Sequence, residues 1–430
     1  MTVPPEPSSC PFVTRRRFLV GLGATVVLAA CNDQTVSVYR PDPTSPTTDP
    51  AAAPPPGTFG GTEGRTLVVV EMGGGNDGLN MVVPHADGRY YDLRRSIRIT
   101  DPIDLDGEVG FHPSLPRLAR RYADGDVAIV EGVGVPDPNL SHFISMETWW
   151  TARPGGSDNS GWLGRFLDGT VGYTEPLAGI TIGPGPSRAM LGNASYVVAI
   201  ADASGLSPDL PPWIDTSDEL MSMWEGFAAE DPATIDLDGV RTAIAASVAA
   251  RGELEGAFGE GGDTGRRRRR RRVGLVDQLD LAAQLVMSTA APRVIYVHGF
   301  GDFDTHQGEL SRHQQLMGQL DEAVDRFFQT LESAGAADRV VLVTASEFGR
   351  RVRDNGSGTD HGTAAPHLVI GPTVRGGRYG EAPDLSRLDS AGNLAHSVDY
   401  RSVYATVLDR WLQADADEVL GATYERLPLL

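Results

Sequence analysis

Short, continuous apolar runs recur along the chain from residue 65 onwards, and they restrict its fold more than any other feature. Such runs are typical of strands buried on both faces of a sheet. Helical patterns separate them, most clearly between 310 and 331, where apolar residues recur at spacings of three, four and seven. Strands that alternate with helices predict an α/β fold with a mainly parallel sheet covered on both faces. The runs occupy residues 66–72, 127–130, 294–297, 340–343 and 367–370.

The first thirty residues have the order of features that is typical of an export signal. Arg15 and Arg16 precede an apolar run from 19 to 30, as in a twin-arginine signal peptide. The run is too short to cross a bilayer of about 30 Å as a helix, but it has the length of a signal h-region. It ends in Leu-Ala-Ala before Cys31, as in a bacterial lipobox, where the cysteine is acylated. The alternative is a buried N-terminal helix with an ordinary cysteine.

Composition divides the rest of the chain into a tether and a folded domain. Residues 31–64 are rich in Pro, Thr and Ala, and they bury too little apolar surface to offset their ordering entropy, so we predict a disordered tether. We assign residues 65–430 to one domain, with a less regular insertion at about 155–275. The insertion contains the run Arg266–Arg272, which is either a solvated loop or a site for an anion or a membrane headgroup.

Charge and residue usage exclude several functional classes. The formal net charge of -20 over 430 residues argues against a nucleic-acid-binding surface. Two cysteines, Cys10 and Cys31, are too few for a zinc finger or an iron–sulfur site. All 37 basic residues are arginine, which excludes a P-loop lysine and Schiff-base chemistry. An anionic substrate would therefore be held by arginine, by metal or by backbone amides.

Polar clusters follow the predicted strands, where ligands bind in folds of this class. The first cluster is the glycine-rich turn 73–78, whose Asp77 is well placed as a metal ligand at a strand end. The second contains Ser141 and His142. A serine at a helix N-terminus lies in a positive field that stabilises an alkoxide or a bound anion. Alternatively, Ser141 simply caps that helix.

Carboxylates and histidines are concentrated in two later clusters. Asp304 and His306 follow the strand at 294–297, and carboxylate with imidazole suits Zn²⁺, Mn²⁺ or similar ions. A polar turn that caps the next helix is the alternative. The last cluster includes Arg350, which either grips an anion bidentately or pairs with a surface acid. Its other members are Glu347, Asp360 and His361. Acid, hydroxyl and histidine at the strand ends of one sheet suit a metal-assisted hydrolase.

Six short motifs appear in a fixed order within the predicted domain. They are Gly-Gly-Asn-Asp-Gly-Leu-Asn (74–80), Phe-His-Pro (111–113), Ser-His-Phe (141–143), Phe-Asp-Thr-His (303–306), Ser-Glu-Phe-Gly-Arg (346–350) and Gly-Thr-Asp-His-Gly (358–362). Over about 65–415, the chain resembles the bacterial family called domain of unknown function 1501, whose members are typically exported by the twin-arginine route. That family is similar to the alkaline phosphatase/sulfatase superfamily. The resemblance therefore implies an alkaline-phosphatase-like, three-layer α/β/α sandwich with metal and nucleophile at the strand ends.

Position by position, the resemblance implies a nucleophile and one or two divalent metal ions, Zn²⁺, Mn²⁺, Ca²⁺ or Mg²⁺. Ser141 would be the nucleophile, with His142 and Arg350 as further catalytic candidates. The chain departs from the superfamily pattern at Phe348, where a histidine is expected, and in the short spacing from Asp304 to His306. The metal-ligand candidates are Asp77, Asp304, His306, Glu347, Asp360 and His361.

These features together predict an exported, lipid-anchored, metal-dependent hydrolase of phosphate or sulfate esters, in the periplasm or on the extracytoplasmic face of the cell membrane. Its expected partners are the twin-arginine translocase, the membrane through the lipid on Cys31, and an anionic ester or polymer as substrate. The alternative is a non-catalytic envelope protein of the same fold that binds a surface polymer or a protein partner.

Overall fold

The computed structural model describes residues 25–27, 36–39, 64–153, 160–172, 175–200, 222, 273–289 and 291–430. Within these ranges, eleven strands form one sheet and three short strands form another. The arginine run and most of the predicted insertion lie outside the described residues, as do Arg15, Arg16 and Cys31.

The strands are numbered in chain order. They are β1 (Thr25–Val27), β2 (Val36–Tyr39), β3 (Thr66–Gly73), β4 (Val82–Val83), β5 (Ile103–Asp104), β6 (Gly110–Phe111), β7 (Val127–Gly134), β8 (Gly179–Ile182), β9 (Val197–Ile200), β10 (Val294–Gly301), β11 (Val340–Ala345), β12 (Ala365–Ile370), β13 (Gly377–Tyr379) and β14 (Val398–Asp399). All five apolar runs of the sequence form strands of the large sheet, namely β3, β7, β10, β11 and β12.

Five parallel strands form the centre of the large sheet, in the order β9, β8, β10, β3, β11. Beyond β11, the strand β12 runs antiparallel and pairs with β7, which points in the same direction as the central strands. The short strands β13 and β14 pair with β7 in parallel. The sheet is therefore mixed but mainly parallel, and the predicted fold class is confirmed.

Helices cover both faces of this sheet. They are α1 (Gly78–Met81), α2 (Gly88–Leu93), α3 (Pro116–Ala123), α4 (His142–Thr151), α5 (Trp162–Thr170), α6 (Leu275–Met287), α7 (Glu309–Ser333), α8 (Tyr400–Thr406) and α9 (Ala416–Leu420). Side chains alternate across a strand, so Val68 and Val70 of β3 pack with α3, α6 and α7. Leu67 and Val69 pack on the opposite face with α4, α5, α8 and α9. The result is three layers.

Helix α7 confirms the helical pattern predicted between 310 and 331, with one local difference. Leu310 was expected on the buried face, but it is 42% exposed. It lies in the first turn of the helix, whereas Leu316, Leu320, Phe327 and Leu331 of the later turns are fully buried. The buried apolar stripe therefore begins at Leu316, about two turns after Leu310.

Two short strands lie in the segments predicted as signal and tether. Strand β1 pairs with β2, and β2 extends the sheet by pairing antiparallel with β9. Val36–Tyr39, inside the range predicted as a tether, is a β-branched and aromatic run that can form ladder hydrogen bonds at the sheet edge. The boundaries of the signal and the tether stay predictions. Within the described ranges, no helix combines the length and apolar character needed to cross a membrane.

Candidate metal centre

The candidate centre lies at the edge of the sheet where the central strands end and where several loops meet. Asp304 and His306 follow β10, and Glu347 and Arg350 follow β11. His142 opens α4, which comes after β7. Because β12 runs antiparallel, the loop before it also lies at this edge, and this loop carries His361. The polar residues predicted at strand ends are thus brought together by the parallel sheet.

Three histidine nitrogens surround the Asp304 carboxylate. Its Oδ1 atom lies 3.1 Å from the Nε2 atoms of both His306 and His361, and these two nitrogens are 3.0 Å apart. The Nε2 atom of His142 lies 3.6 Å from Asp304 Oδ2. Ligands on a tetrahedral ion with bonds of 2.0–2.1 Å are about 3.3 Å from each other. The spacings around Asp304 Oδ1 are close to this value, and the ligand atoms that all lie within 4.8 Å of one another are those of His142, Asp304 and His361.

Each imidazole is oriented by an acceptor on its other nitrogen. The Nδ1 atom of His142 donates to Glu347 Oε1 at 2.8 Å, and that of His361 donates to the Leu140 carbonyl at 2.8 Å. The Nδ1 atom of His306 donates to Asp360 Oδ1 at 3.3 Å. Since a neutral imidazole carries one N–H, all three Nε2 atoms present lone pairs. This arrangement of an acceptor behind each histidine is typical of metal ligands.

The three Nε2 lone pairs converge on the Asp304 carboxylate, whose donor is the buried Arg350 guanidinium. His142 Nε2 is buried and has no hydrogen-bond partner among the described residues. Among the described residues, the side chains of His142, Asp304 and His361 could hold one metal ion together. Their ligand atoms all lie within 4.8 Å of one another. A cation satisfies such a cluster of acceptors. Imidazole and carboxylate suit Zn²⁺ or a similar divalent ion, so the residues fit a metal.

Local electrostatics also favour metal binding. Partial burial acts to raise the pKa of Asp304, but the hydrogen bond and the positive charge of Arg350 outweigh it and lower the pKa to about 2. Asp304 is therefore a carboxylate at any physiological pH. The hydrogen bond with Glu347 raises the pKa of His142, which makes its imidazole a more basic ligand.

Arg350, predicted as catalytic from the sequence, is placed by the structure among the loops that carry the candidate ligands. Its guanidinium is fully buried and donates to the carbonyls of Gly75 at 2.8 Å, Thr359 at 3.0 Å and Phe303 at 3.0 Å, and also to that of Gly74. It donates to Asp304 Oδ1 at 2.8 Å as well. A guanidinium has five N–H groups, of which Nε and both N–H groups of Nη2 take part in these bonds, together with one N–H of Nη1. Arg350 therefore fixes the loops and orients Asp304, instead of holding an anion.

Glu347 and Asp360 were both predicted as metal ligands. Their carboxylates instead accept hydrogen bonds from the Nδ1 atoms of two histidines, on the side of each ring that is opposite to Nε2. Glu347 Oε1 accepts from His142 and also from the Gly74 amide at 2.8 Å, while Asp360 accepts from His306. His142, predicted as catalytic, is itself one of the converging ligands. The residue types pointed to a metal site, but the spacing could not show which atoms face the ion.

Asp77 belongs to a buried cluster that does not include His142, His306 or His361. Its carboxylate forms an ion pair with Arg94, and neither side chain is exposed beyond 1%. Glu309, the first residue of α7, contacts the same carboxylate. The prediction of Asp77 as a ligand beside Asp304 is therefore corrected. Neither partner of Asp77 was predicted, because no local pattern marks Arg94 and because Glu309 resembles an ordinary acid in the first turn of a helix.

Ser141 lies between two residues that orient or form the centre. Leu140 holds His361 through its carbonyl, and His142 follows directly. Ser141 is in the N-cap position of α4, but its hydroxyl caps no N–H of that described helix. The simple capping alternative is therefore not what the structure shows. Phe348 is buried against the site, with its ring centroid 4.9 Å from that of His142 and 4.6 Å from that of His361.

A scan against protein families matches residues 127–423 to the family described as "Protein of unknown function (DUF1501)". The chain belongs to this family. The matched residues include the three histidines and Asp304, so all of the converging ligands lie inside the family domain, whereas Asp77 precedes the matched segment. No curated protein matches the chain by sequence.

Several solved structures of enzymes and related proteins are distantly similar to this DUF1501 chain. A protein in the alkaline phosphatase superfamily from Vibrio parahaemolyticus has 12% identity, with 88% of this chain and 73% of that chain covered, at a TM-score of 0.37. A putative sulfatase from Bacteroides thetaiotaomicron has 9% identity over 85% and 76%, at 0.37. The zinc complex of the C-terminal periplasmic domain of EcEptC from Escherichia coli has 12% identity over 74% and 77%, at 0.35. At such low scores the likeness carries no argument about chemistry, which rests on the residues above.

Proposed function

We propose that the chain is a metal-dependent hydrolase of phosphate or sulfate esters. One observation carries the proposal: three histidine Nε2 atoms, each oriented through Nδ1 by an acceptor, converge with Asp304 at the carboxyl ends of the central strands. His142, His306, His361 and Asp304 are the residues that would hold the metal. A bound divalent ion stabilises negative charge on a phosphoryl or sulfuryl oxygen and favours the ionised form of a nucleophilic hydroxyl.

Ser141 is the proposed nucleophile. Its hydroxyl is not used to cap α4, and the N-terminus of this helix favours negative charge on the serine oxygen. Ser141 Oγ attacks phosphorus or sulfur, and the ester oxygen leaves with its alkyl group and takes up a proton. Water then cleaves the seryl ester, which restores Ser141 and releases inorganic phosphate or sulfate. The buried Arg350 contributes by orienting Asp304.

The Ser141→Ala variant tests this assignment. Loss of a covalent nucleophile is expected to lower kcat by at least about a thousandfold, as in enzymes that use a serine hydroxyl, while the metal content remains that of the wild type. The measurement is hydrolysis of a panel of phosphate and sulfate esters, with metal content determined on the same preparations. Ser145→Ala, in the same helix, is the matched control. Undiminished hydrolysis by Ser141→Ala would remove Ser141 as the nucleophile.

Export and anchoring by lipid form the second part of the proposal. The arginine pair, the apolar run and Cys31 occur in the order of a twin-arginine lipoprotein signal, and acylation of Cys31 would attach the domain to the extracytoplasmic face of the membrane. Cys31→Ser is expected to move the protein from the membrane fraction to the soluble fraction, because a thiol is required for acylation. Cys10→Ser is the control. Membrane retention of the Cys31→Ser protein, equal to that of the wild type, contradicts the anchor.

A non-catalytic envelope protein of the same fold is the second candidate, and two observations favour it. Phe348 packs against the ligand histidines, at the position where the superfamily pattern has a histidine. Arg350 is buried and directs its hydrogen bonds to carbonyl groups of the protein and to Asp304. In this case the domain binds a surface polymer or a protein partner. Bound metal together with no turnover of any ester in the panel would favour this candidate.

A further inference from the structure

A second cluster of ionisable groups is buried beside the candidate centre, and the proposed chemistry does not use it. Asp77 follows β3, and Glu309 is the first residue of α7. Their carboxyl groups are within hydrogen-bonding contact of each other, and both side chains are almost wholly buried. Arg94 is the cation of this cluster, and it forms an ion pair with Asp77.

The hydrogen bonds of the two carboxyl groups leave one oxygen without a donor. Glu309 Oε2 accepts from the Thr359 hydroxyl at 2.6 Å, and Oε1 accepts from the Asn80 amide at 3.3 Å. Asp77 Oδ2 accepts from Arg94. Asp77 Oδ1 is buried and has no donor within the described part of the chain. A buried carboxylate oxygen without a donor is costly, and the side chain that carries it contacts the Glu309 carboxyl group.

The neighbouring titratable groups do not supply a second positive charge. His313 and His112 face Asp77, but burial lowers the pKa of His313 to about 3 and that of His112 to about 4, so both are neutral at pH 7. Tyr90 is also neutral, because burial raises its pKa. One arginine therefore faces two carboxyl groups in a buried site. Two buried carboxyl groups in contact share a proton when only one charge is compensated.

We infer that Asp77 and Glu309 share one proton, with Glu309 as the protonated partner that donates to Asp77 Oδ1, and that this neutral Glu309 positions the loop carrying His361. Burial, and next the Asp77 charge, raise the pKa of Glu309 to about 9, in agreement with the geometry. The donated proton satisfies the otherwise unpaired oxygen. The pair and Arg94 together are then electrically neutral.

Glu309 is a positioning residue, because it acts on the candidate ligands through their loops. Its side chain accepts from Thr359, two residues before His361, and its amide donates to the Ser357 carbonyl at 3.0 Å. The amide of Thr359 in turn donates to the Thr305 carbonyl at 3.2 Å, next to the ligand His306. Glu309 thus joins the start of α7 to both ligand loops. The positioning role of Glu309 rests on the proposed metal site, whereas the proton shared with Asp77 does not.

The variants Glu309→Gln and Glu309→Ala test whether Glu309 acts as a neutral hydrogen-bond donor or as a charged acceptor. Gln keeps a donor for Asp77 and a carbonyl for Thr359, so Glu309→Gln is expected to bind Zn²⁺ within about threefold of the wild type, whereas Glu309→Ala is expected to lose about 10–100-fold in affinity. The measurement is competition with a chromophoric chelator. Glu322→Gln, an exposed position of the same helix, is the control. A Gln variant as weak as the Ala variant overturns the positioning role.

Infrared spectroscopy tests the shared proton independently of metal. The difference spectrum between wild type and Glu309→Gln at pH 7 is expected to contain the carbonyl stretch of a protonated carboxylic acid, shifted in deuterium oxide. A carboxylate band in its place overturns the inference. If the wild type binds no metal, the proposed function fails, yet the acid band still decides the protonation of Glu309.

The pH dependence of stability provides a further readout. The pKa of Glu309 is raised on folding, so the folded state binds a proton that the unfolded state has released above about pH 5. The wild type is therefore expected to lose stability relative to Glu309→Gln as the pH rises from about 5 towards 9. Urea unfolding of both proteins across this range measures the difference. A difference that does not vary with pH contradicts the shared proton.

Discussion

Wild-type protein purified without chelator is expected to contain at least one equivalent of a divalent metal, and the Asp304→Ala/His361→Ala variant to contain none. The double change removes two of the converging ligand atoms and leaves His142 and His306, too few to hold a divalent ion against buffer. Elemental analysis of both proteins by mass spectrometry gives the metal content, and circular dichroism shows whether the variant is folded.

A graded control for this experiment is Glu347→Gln, which removes no ligand. Glu347 orients His142 through Nδ1, and loss of such an outer partner lowers metal affinity by about 10–100-fold. The variant should therefore still bind metal, but more weakly than the wild type. A wild type that is free of metal after growth in both ordinary and metal-supplemented medium would exclude the metal centre, and with it the proposed hydrolase.

Replacement of Arg350 by Ala is expected to lower the free energy of unfolding by about 3–5 kcal/mol, the cost of removing one partner of a buried charged network. Arg350 donates to four carbonyls and to Asp304. Its loss leaves these acceptors unpaired, and each buried unpaired group costs about 1–3 kcal/mol before the loops relax. Arg350→Lys should recover little of this, because an ammonium group cannot reproduce five donors in a planar fork.

The matched control is Arg353→Ala, at an exposed position of the same segment. Substitutions at such surface positions usually change stability by no more than about 0.5 kcal/mol. Urea unfolding of the three variants and the wild type provides the comparison. If Arg350→Ala were as stable as the wild type but unable to bind an anionic ester, the residue would be a substrate-binding arginine, as the sequence had predicted, and the structural role would be wrong.

Much of the candidate site could be predicted because its residues follow strands in sequence. Asp304, His306 and His361 were identified as metal ligands from residue type and position alone, and the structure brings all three together. The direction of a side chain is not encoded in this way. Glu347 and Asp360 also lie in motifs that follow strands, yet each accepts a hydrogen bond from the Nδ1 atom of a histidine. His142 was predicted as catalytic, but it converges on Asp304.

Asp77 shows a different limit of the sequence. An acid in a glycine-rich turn at the end of the first central strand has the expected position of a metal ligand, and its type and spacing give no reason for doubt. Arg94, seventeen residues later, pairs with it, and Glu309 reaches it from a helix far along the chain. Contacts between residues so distant in sequence follow from packing, which local patterns do not contain.

The sequence by itself determined the α/β class, the strands of the sheet and the edge at which chemistry could take place. Apolar runs and helical periodicity specify which residues are buried, and parallel strands bring their carboxyl ends to one edge. Only the tertiary structure decided which polar groups meet there. Hydrogen bonds have a direction and a range of about 3 Å, so the roles of Arg350, Glu347 and Asp77 depend on where neighbouring loops place their carbonyls and charges. That placement is a property of the packed chain, not of any short segment of it.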